Sequence, residues 1–521
     1  MALCKAETES ESEAEEGYYT DFVQTLGIQS YATNIIFKDN QRRLLEEVKN
    51  VIPRSVILLQ GGSRLHHYDT ELVYEFNQES FFYWLFGVLE PDCYASIDVR
   101  SGEVVLFLPK LELDDDDLSV SNLSEDISLK SLYDIDKVYT HDRIDDELSS
   151  TQPDFVLLLG GTNPETGLPL LTAKFKNVYN IATDSELIYP IMANLRVIKT
   201  NEEISIMKRA GVILCEALKY IMLRIRPGNY EYQADAIFKH FCYFSAGCKL
   251  STCFGRCAAG LNVLKLNYSA PMDKIIEEGD LCLLELGAKY CGYATKATIT
   301  YPASGKFSLA QKLAYKVVLT VQSKVLLILR DGIGCVELQT YAHQILLEEL
   351  KELGVVQGNI NDMVCSGIAT VFAPQGIIQL IGIDYNDVGG YIHDVTPPPP
   401  CERWLPTMKT TRILEENMVI SFSPACYFDI KRIGAALNDD IMGRFIQKET
   451  VEKFLEVGGV KMEDMVMVTG DGYQLLTHLP RSVKIIEYWL RQPVETYINK
   501  VVASSMFTKN ITFEEADACE A

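Results

Sequence analysis

Basic residues are in short supply in this chain. Its 521 residues hold 48 Lys and Arg against 72 Asp and Glu, a formal net charge of -24. No surface is therefore expected to bind nucleic acid or an anionic membrane, since both need clustered cations to displace counterions. No run of about 18 apolar residues occurs, which leaves no candidate membrane span, and the start carries no apolar signal segment. The fourteen cysteines show no repeated C-x-x-C pair and so suggest no disulfide framework. Cys248, Cys253 and Cys257 cluster without a histidine or a second cysteine pair, and read as small buried thiols rather than a zinc site. Histidine is scarce too, with seven in all and none between His240 and His343. The expectation is a reduced, soluble, cytoplasmic protein whose partners are neutral or basic.

What is present is enough apolar residue, 47%, for two large cores, because single cores stop growing at roughly 250 to 300 residues. Residues 1–26 are acidic and too poor in apolar residues to fold, so a solvated tail is expected there, and the acidic run at 114–117 reads as a loop. S-V-I-L-L-Q-G-G at 55–62 and F-V-L-L-L-G-G at 155–161 read as buried strands. A-S-I-D-V and V-V-L-F-L flank R-S-G at 100–102 as a hairpin. The stretch 27–196 is thus an α/β domain.

A second domain is placed at 197–495, with a tail over 496–521. Thr200 and Glu203 form a capping box that opens an amphipathic helix stopped by Pro227 and Gly228. Further helices are predicted over 231–244, 308–330 and 337–353, and strands over 280–286 and 293–301, which makes this domain α+β. T-P-P-P-P at 396–400 reads as a stiff surface loop. No period of 20 to 50 residues marks a solenoid.

Four segments carry a family resemblance in their order and spacing: G-D-L-C-L-L-E-L-G-A-K-Y-C-G-Y-A-T-K-A-T-I-T-Y-P-A-S-G-K-F, I-G-I-D-Y-N-D-V-G-G-Y, N-M-V-I-S-F-S-P-A-C-Y-F and V-G-G-V-K-M-E-D-M-V-M-V. Together they resemble the eukaryotic prolidases, Xaa-Pro dipeptidases of the pita-bread fold. V-I-L-L-Q-G-G and N-Q-E-S-F-F-Y-W-L-F-G-V-L-E-P-D-C-Y resemble the aminopeptidase P-like N-terminal domain of the same proteins. The resemblance covers about residues 27 to 495. It implies a pita-bread domain, a homodimer, and two manganese ions per subunit held by two aspartates, a histidine and two glutamates, with a bridging water as nucleophile.

Carried over position by position, that ligand set is largely replaced. The first aspartate falls on Glu285 and the second, which bridges both metals, on Lys296. The histidine falls on Gln379, with the outer histidine of the same motif on Gln375. The first glutamate falls on Ser423, and only the last, Glu463, is unchanged. A protonated lysine offers no lone pair. The family's proton-handling histidines fall on Leu264 and Asn386, the latter beside Asp387, and the arginine near the last glutamate is Lys461. Glu285 and Glu463 stay as weak metal candidates; the stronger expectation is that they pair with Lys296, its ammonium standing where the cations stood, with Gln379 and Ser423 as neutral partners. His393 beside Asp394, His240, and His66 with His67 are read as non-catalytic. Gly389 and Gly390 read as a turn.

The chain is therefore expected to keep the prolidase-like fold without the chemistry, no cofactor being predicted, and to bind a peptide or protein partner. Two alternatives stand beside that reading: an active metallodipeptidase with a rearranged or single-metal site, and a structural component valued for its dimer surface.

Overall fold

The computed structural model describes residues 31–109, 129–164, 166–251, 255–268, 271–392, 396–398, 402, 404–405 and 407–493. The acidic start, the run at 114–117, the stretch at 496–521, Cys253, His393, Asp394 and part of the proline run lie outside the described residues. Two compact units account for the rest. One holds Ser30–Glu202 together with Tyr391–Pro397, and the other is built on Glu203–Gly390 and continues from Pro398. Among the described residues, no helix is long and apolar enough to cross a membrane.

The first unit centres on a six-stranded mixed sheet ordered Lys137–Thr140, Val104–Leu108, Tyr94–Asp98, Ser55–Gln60, Phe155–Leu158, Ala182–Asp184. The hairpin expected around 100–102 is its antiparallel pair, closed where the Gly102 N–H donates to the Asp98 carbonyl at 2.7 Å with Gly102 at φ +80°. The apolar runs are continuous because both sheet faces are covered. Val56, Leu58, Val105, Phe107, Val156 and Leu158 pack one face with Ile144 and Leu148, while Ile57 and Leu59 are buried on the other. Each such side chain contributes roughly 1.5–3 kcal/mol when fully buried.

Four long helices belong to the second unit: Asn201–Arg224, Glu231–Ala246, Leu309–Leu326 and Cys335–Glu352. The third differs from the stretch read at 308–330. Ser308 is its cap, in a capping box with Gln311, and beyond Leu326 the bonds tighten, with Ile328 donating to Val325 and Leu329 to Leu326. That i to i−3 pattern ends a helix without a glycine or proline to announce it.

The strand read at 293–301 is broken. Tyr293–Ala294 pairs with Ala288–Tyr290, whereas Ala297–Pro302 pairs with Leu281–Leu286 in a different sheet. Thr295 makes the break: its hydroxyl accepts from the Ala288 N–H at 2.8 Å and donates to the Ala288 carbonyl at 2.7 Å. Lys296 follows in the gap. A four-stranded sheet ordered Ile378–Leu380, Val419–Phe422, Asp464–Val468, Tyr473–Leu475 lies beyond, with the two-stranded Ala425–Tyr427 and Gly459–Lys461 pair.

Candidate functional site

Strand register assembles the site. Arg256 lies opposite Glu285, Glu285 opposite Thr298, and Thr298 opposite Glu463. Residues directly opposite in antiparallel strands share a face, so these four form one row. Lys296, two residues before Thr298, joins it from the break. Lys461 sits opposite Ala425 at the end of its strand, and Gln379 sits opposite Ser421.

In that row the Lys296 ammonium is 3.1 Å from Glu463 Oε1 and donates to Gln379 Oε1. Lys461 bridges both acids, 2.9 Å from Glu285 Oε1 and 3.3 Å from Glu463 Oε2. Arg256 Nη1 is 3.2 Å from Glu285 Oε2. The Thr298 hydroxyl donates to Glu463 Oε2 at 2.6 Å, and the Ser421 hydroxyl donates to Oε1. Tyr385 covers the outer end: its hydroxyl donates to Glu285 Oε1 at 3.2 Å and its ring centroid is 4.0 Å from Lys296 Nζ, a distance at which a cation is attracted to the ring face. Glu463 is fully buried, while the Glu285 side chain keeps 16% of its exposure.

Electrostatics follow from these contacts. Burial alone would raise both carboxyls, but Lys461, Lys296 and Arg256 hold Glu285 well below the usual carboxylate range, and Lys296 with Lys461 lower Glu463. Burial opposes the charge on Lys461 as well, and Glu285 and Glu463 overcome it and raise its ammonium. The two acids are therefore ionised and matched by cations.

Lys296, Glu285, Glu463, Gln379 and Lys461 thus come together, though Glu285 pairs with Lys461 and Arg256 rather than with Lys296. The expected role of Ser423 is corrected. The described contacts of Ser423 are through its backbone, its N–H donating to Ile377 at 2.8 Å, and the hydroxyl on Glu463 comes from Ser421 instead. The resemblance matched Ser423 to a glutamate, whose longer reach a serine lacks. Leu264 packs with Ala258, Val263 and Leu283, Asn386 and Gln375 are exposed, and Asp387 is buried with its N–H on the Leu380 carbonyl. His240 is exposed and stacks on Phe244, and Cys248 and Cys257 are buried free thiols. Arg256, Thr298, Ser421 and Tyr385 were not singled out in the sequence. Only Thr298 had a signal there, its two-residue spacing from Lys296.

A pair of divalent ions does not fit this donor set. It offers two carboxylates, both already matched by cations, and an ammonium at the position of the bridging aspartate. Among the described residues, no three His, Cys, Asp or Glu side chains converge to hold a metal ion.

Residues 205–470 match metallopeptidase family M24, and residues 37–157 match the aminopeptidase P N-terminal domain. The Xaa-Pro dipeptidase of Homo sapiens is 34% identical over 87% of this chain and 92% of its own length, and that of Mus musculus 33% over the same shares. A probable Xaa-Pro aminopeptidase of Verticillium alfalfae is 26% identical over 86% and 96%. Among solved structures, proline aminopeptidase P II from Yersinia pestis superposes with a TM-score of 0.70 at 23% identity, covering 88% of this chain and 99% of that one. Zinc-substituted E. coli aminopeptidase P in complex with product gives 0.69 at 22%, covering 88% and 98%. The chain belongs to metallopeptidase family M24, in its prolidase-like, pita-bread branch.

Proposed function

We propose that this chain is a prolidase-like protein that does not hydrolyse Xaa-Pro peptides and acts by binding a peptide or protein partner, as a homodimer in the cytoplasm. One observation carries the reading. The Lys296 ammonium stands 3.1 Å from Glu463, at the position of the bridging metal ligand. A divalent ion would have to expel that buried ammonium and then remain beside Lys461, at a Coulombic cost of several kcal/mol in so dry a setting. Hydrolysis by this family's chemistry needs a metal-activated water, and the residues that would hold and deprotonate it are replaced. The fold and the peptide-cleaving relatives favour a peptide end as the ligand; the homodimer follows from the resemblance, and the cytoplasm from the cysteine usage read in the sequence.

The test is hydrolysis of Gly-Pro by purified protein with manganese chloride. No turnover above buffer is expected. Manganese-dependent turnover that co-purifies with the chain would overturn the proposal and favour an active dipeptidase with a rearranged site.

A further inference from the structure

The buried row does not balance its charge. Three cations, Arg256, Lys296 and Lys461, face two carboxylates, Glu285 and Glu463, and among the described residues no other carboxylate lies within ion-pair distance of the three. All three cations are at least nine-tenths buried, so one positive charge is left where water cannot screen it, which is costly for an interior.

Two polar groups at this spot lack partners. Arg256 Nε, on a residue 5% exposed, and the Tyr427 hydroxyl, on a residue 2% exposed, have no hydrogen-bond partner. They are neighbours: the Tyr427 hydroxyl lies against the Arg256 guanidinium, close enough for a loose hydrogen bond that falls short of standard geometry, and also acts on Lys461. Its ring also crosses over Gly459, where an added Cβ would meet it at 2.3 Å. Unmade hydrogen bonds of this kind cost about 1–3 kcal/mol each when buried.

We propose that this position, where the family holds cations, takes a small monoanion of the carboxylate class, bound beside Arg256, Lys461 and the Tyr427 hydroxyl. One negative charge neutralises the row, and its oxygens accept from Arg256 Nε and Tyr427 Oη, the two unpaired donors. Access is from the Glu285 and Tyr385 end, where the row keeps some exposure. The inference builds on the metal-free reading above and adds the sign of the ligand's charge. A free carboxylate and the C-terminal carboxylate of a peptide share this chemistry.

The test is thermal unfolding of the full chain in low-chloride buffer, titrated with sodium acetate, with a blocked tripeptide ending in a free carboxylate, and with the same tripeptide amidated. The acid peptide and acetate should raise the midpoint saturably, as a ligand that binds only the folded state does, and the amide should not. Preference for the peptide over acetate assigns the site to peptide ends, and the reverse to free carboxylates. Arg256→Met leaves two cations against two carboxylates and should abolish the saturable rise. Glu285→Gln raises the excess to two and should tighten binding by about tenfold or more. Equal rises in wild type and Arg256→Met, or no tightening in Glu285→Gln where Arg256→Met fails to fold, would overturn the anion site. A wild-type protein that neither hydrolyses Gly-Pro nor responds to carboxylates would overturn it alone. Stabilisation by manganese without any response to acetate would overturn it together with the metal-free reading.

Discussion

Thr298 and Glu463 are joined twice. Their backbones exchange two hydrogen bonds, each 3.1 Å, as an isolated bridge between two sheets, and the Thr298 hydroxyl donates to Glu463 Oε2 at 2.6 Å. The acid at the centre of the candidate site is thereby fixed by the strand that also delivers Lys296.

Thr298→Val keeps the shape and removes the donor. A hydrogen bond to a charged group is worth roughly 1.5–3 kcal/mol, so urea unfolding should register a loss of about 2 kcal/mol. A change below a few tenths would show that the carboxylate is held by Lys296, Lys461 and Ser421 without it.

Lys296→Met removes one of two cations on a fully buried carboxylate and should cost about 3 kcal/mol or more. Lys296→Asp should cost more still, because it sets a further carboxylate beside Glu463 and Glu285 without a cation, and it should give no manganese-dependent hydrolysis of Gly-Pro. Chemical denaturation in metal-free buffer ranks the two. An aspartate variant more stable than the methionine one contradicts the charge-replacement account.

His343 sets a pH dependence of its own. Burial pushes its imidazole down to about 4 from an ordinary 6.5, and its Nε2 is 2.8 Å from Gln339 Nε2, a contact that a neutral ring accepts. Because the folded value is the lower one, the unfolded chain binds the extra proton. Stability is then complete above pH 6.5 and is lost as pH falls toward 4, by up to roughly 3 kcal/mol. His343→Gln should flatten that stretch. The lowered Glu285 and Glu463 carboxyls act in the same direction at lower pH, below about 4.5, so the two contributions separate along the pH axis.

Gly211 lies inside the Asn201–Arg224 helix, where alanine would ordinarily stabilise by about 1 kcal/mol. Here an added Cβ would come within 2.0 Å of the Leu476 carbonyl oxygen. Gly211→Ala should therefore lower the melting temperature, reversing the sign expected from helix propensity.

The sequence made the architecture legible wherever local chemistry decides it. The hairpin around Gly102 and the stop at Pro227 are short-range features, and the prolidase-like order of segments placed Glu285, Lys296, Gln379 and Glu463 in one pocket. Less visible were contacts made by register. Arg256 meets Glu285 only because two strands 29 residues apart pair in that alignment, and no local pattern marks it. An unbroken strand over 293–301 does not place Lys296; the break at Thr295 does that, through side-chain hydrogen bonds to Ala288 that no periodicity reports. Ser421 replaced Ser423 for a related reason: a motif match fixes a position in the chain and says nothing of how far a shorter side chain reaches.

The paired hydrogen bonds of the Thr295 hydroxyl to Ala288 let the chain leave one sheet and enter the next within two residues. Lys296 therefore sits at a joint. Because its ammonium also grips Glu463, which bridges to Thr298 from outside both sheets, the joint and the ion-paired row should open in a single step. Slow amide exchange at Thr298 and Glu463 would then report unfolding of the whole unit, with no smaller fluctuation able to expose them.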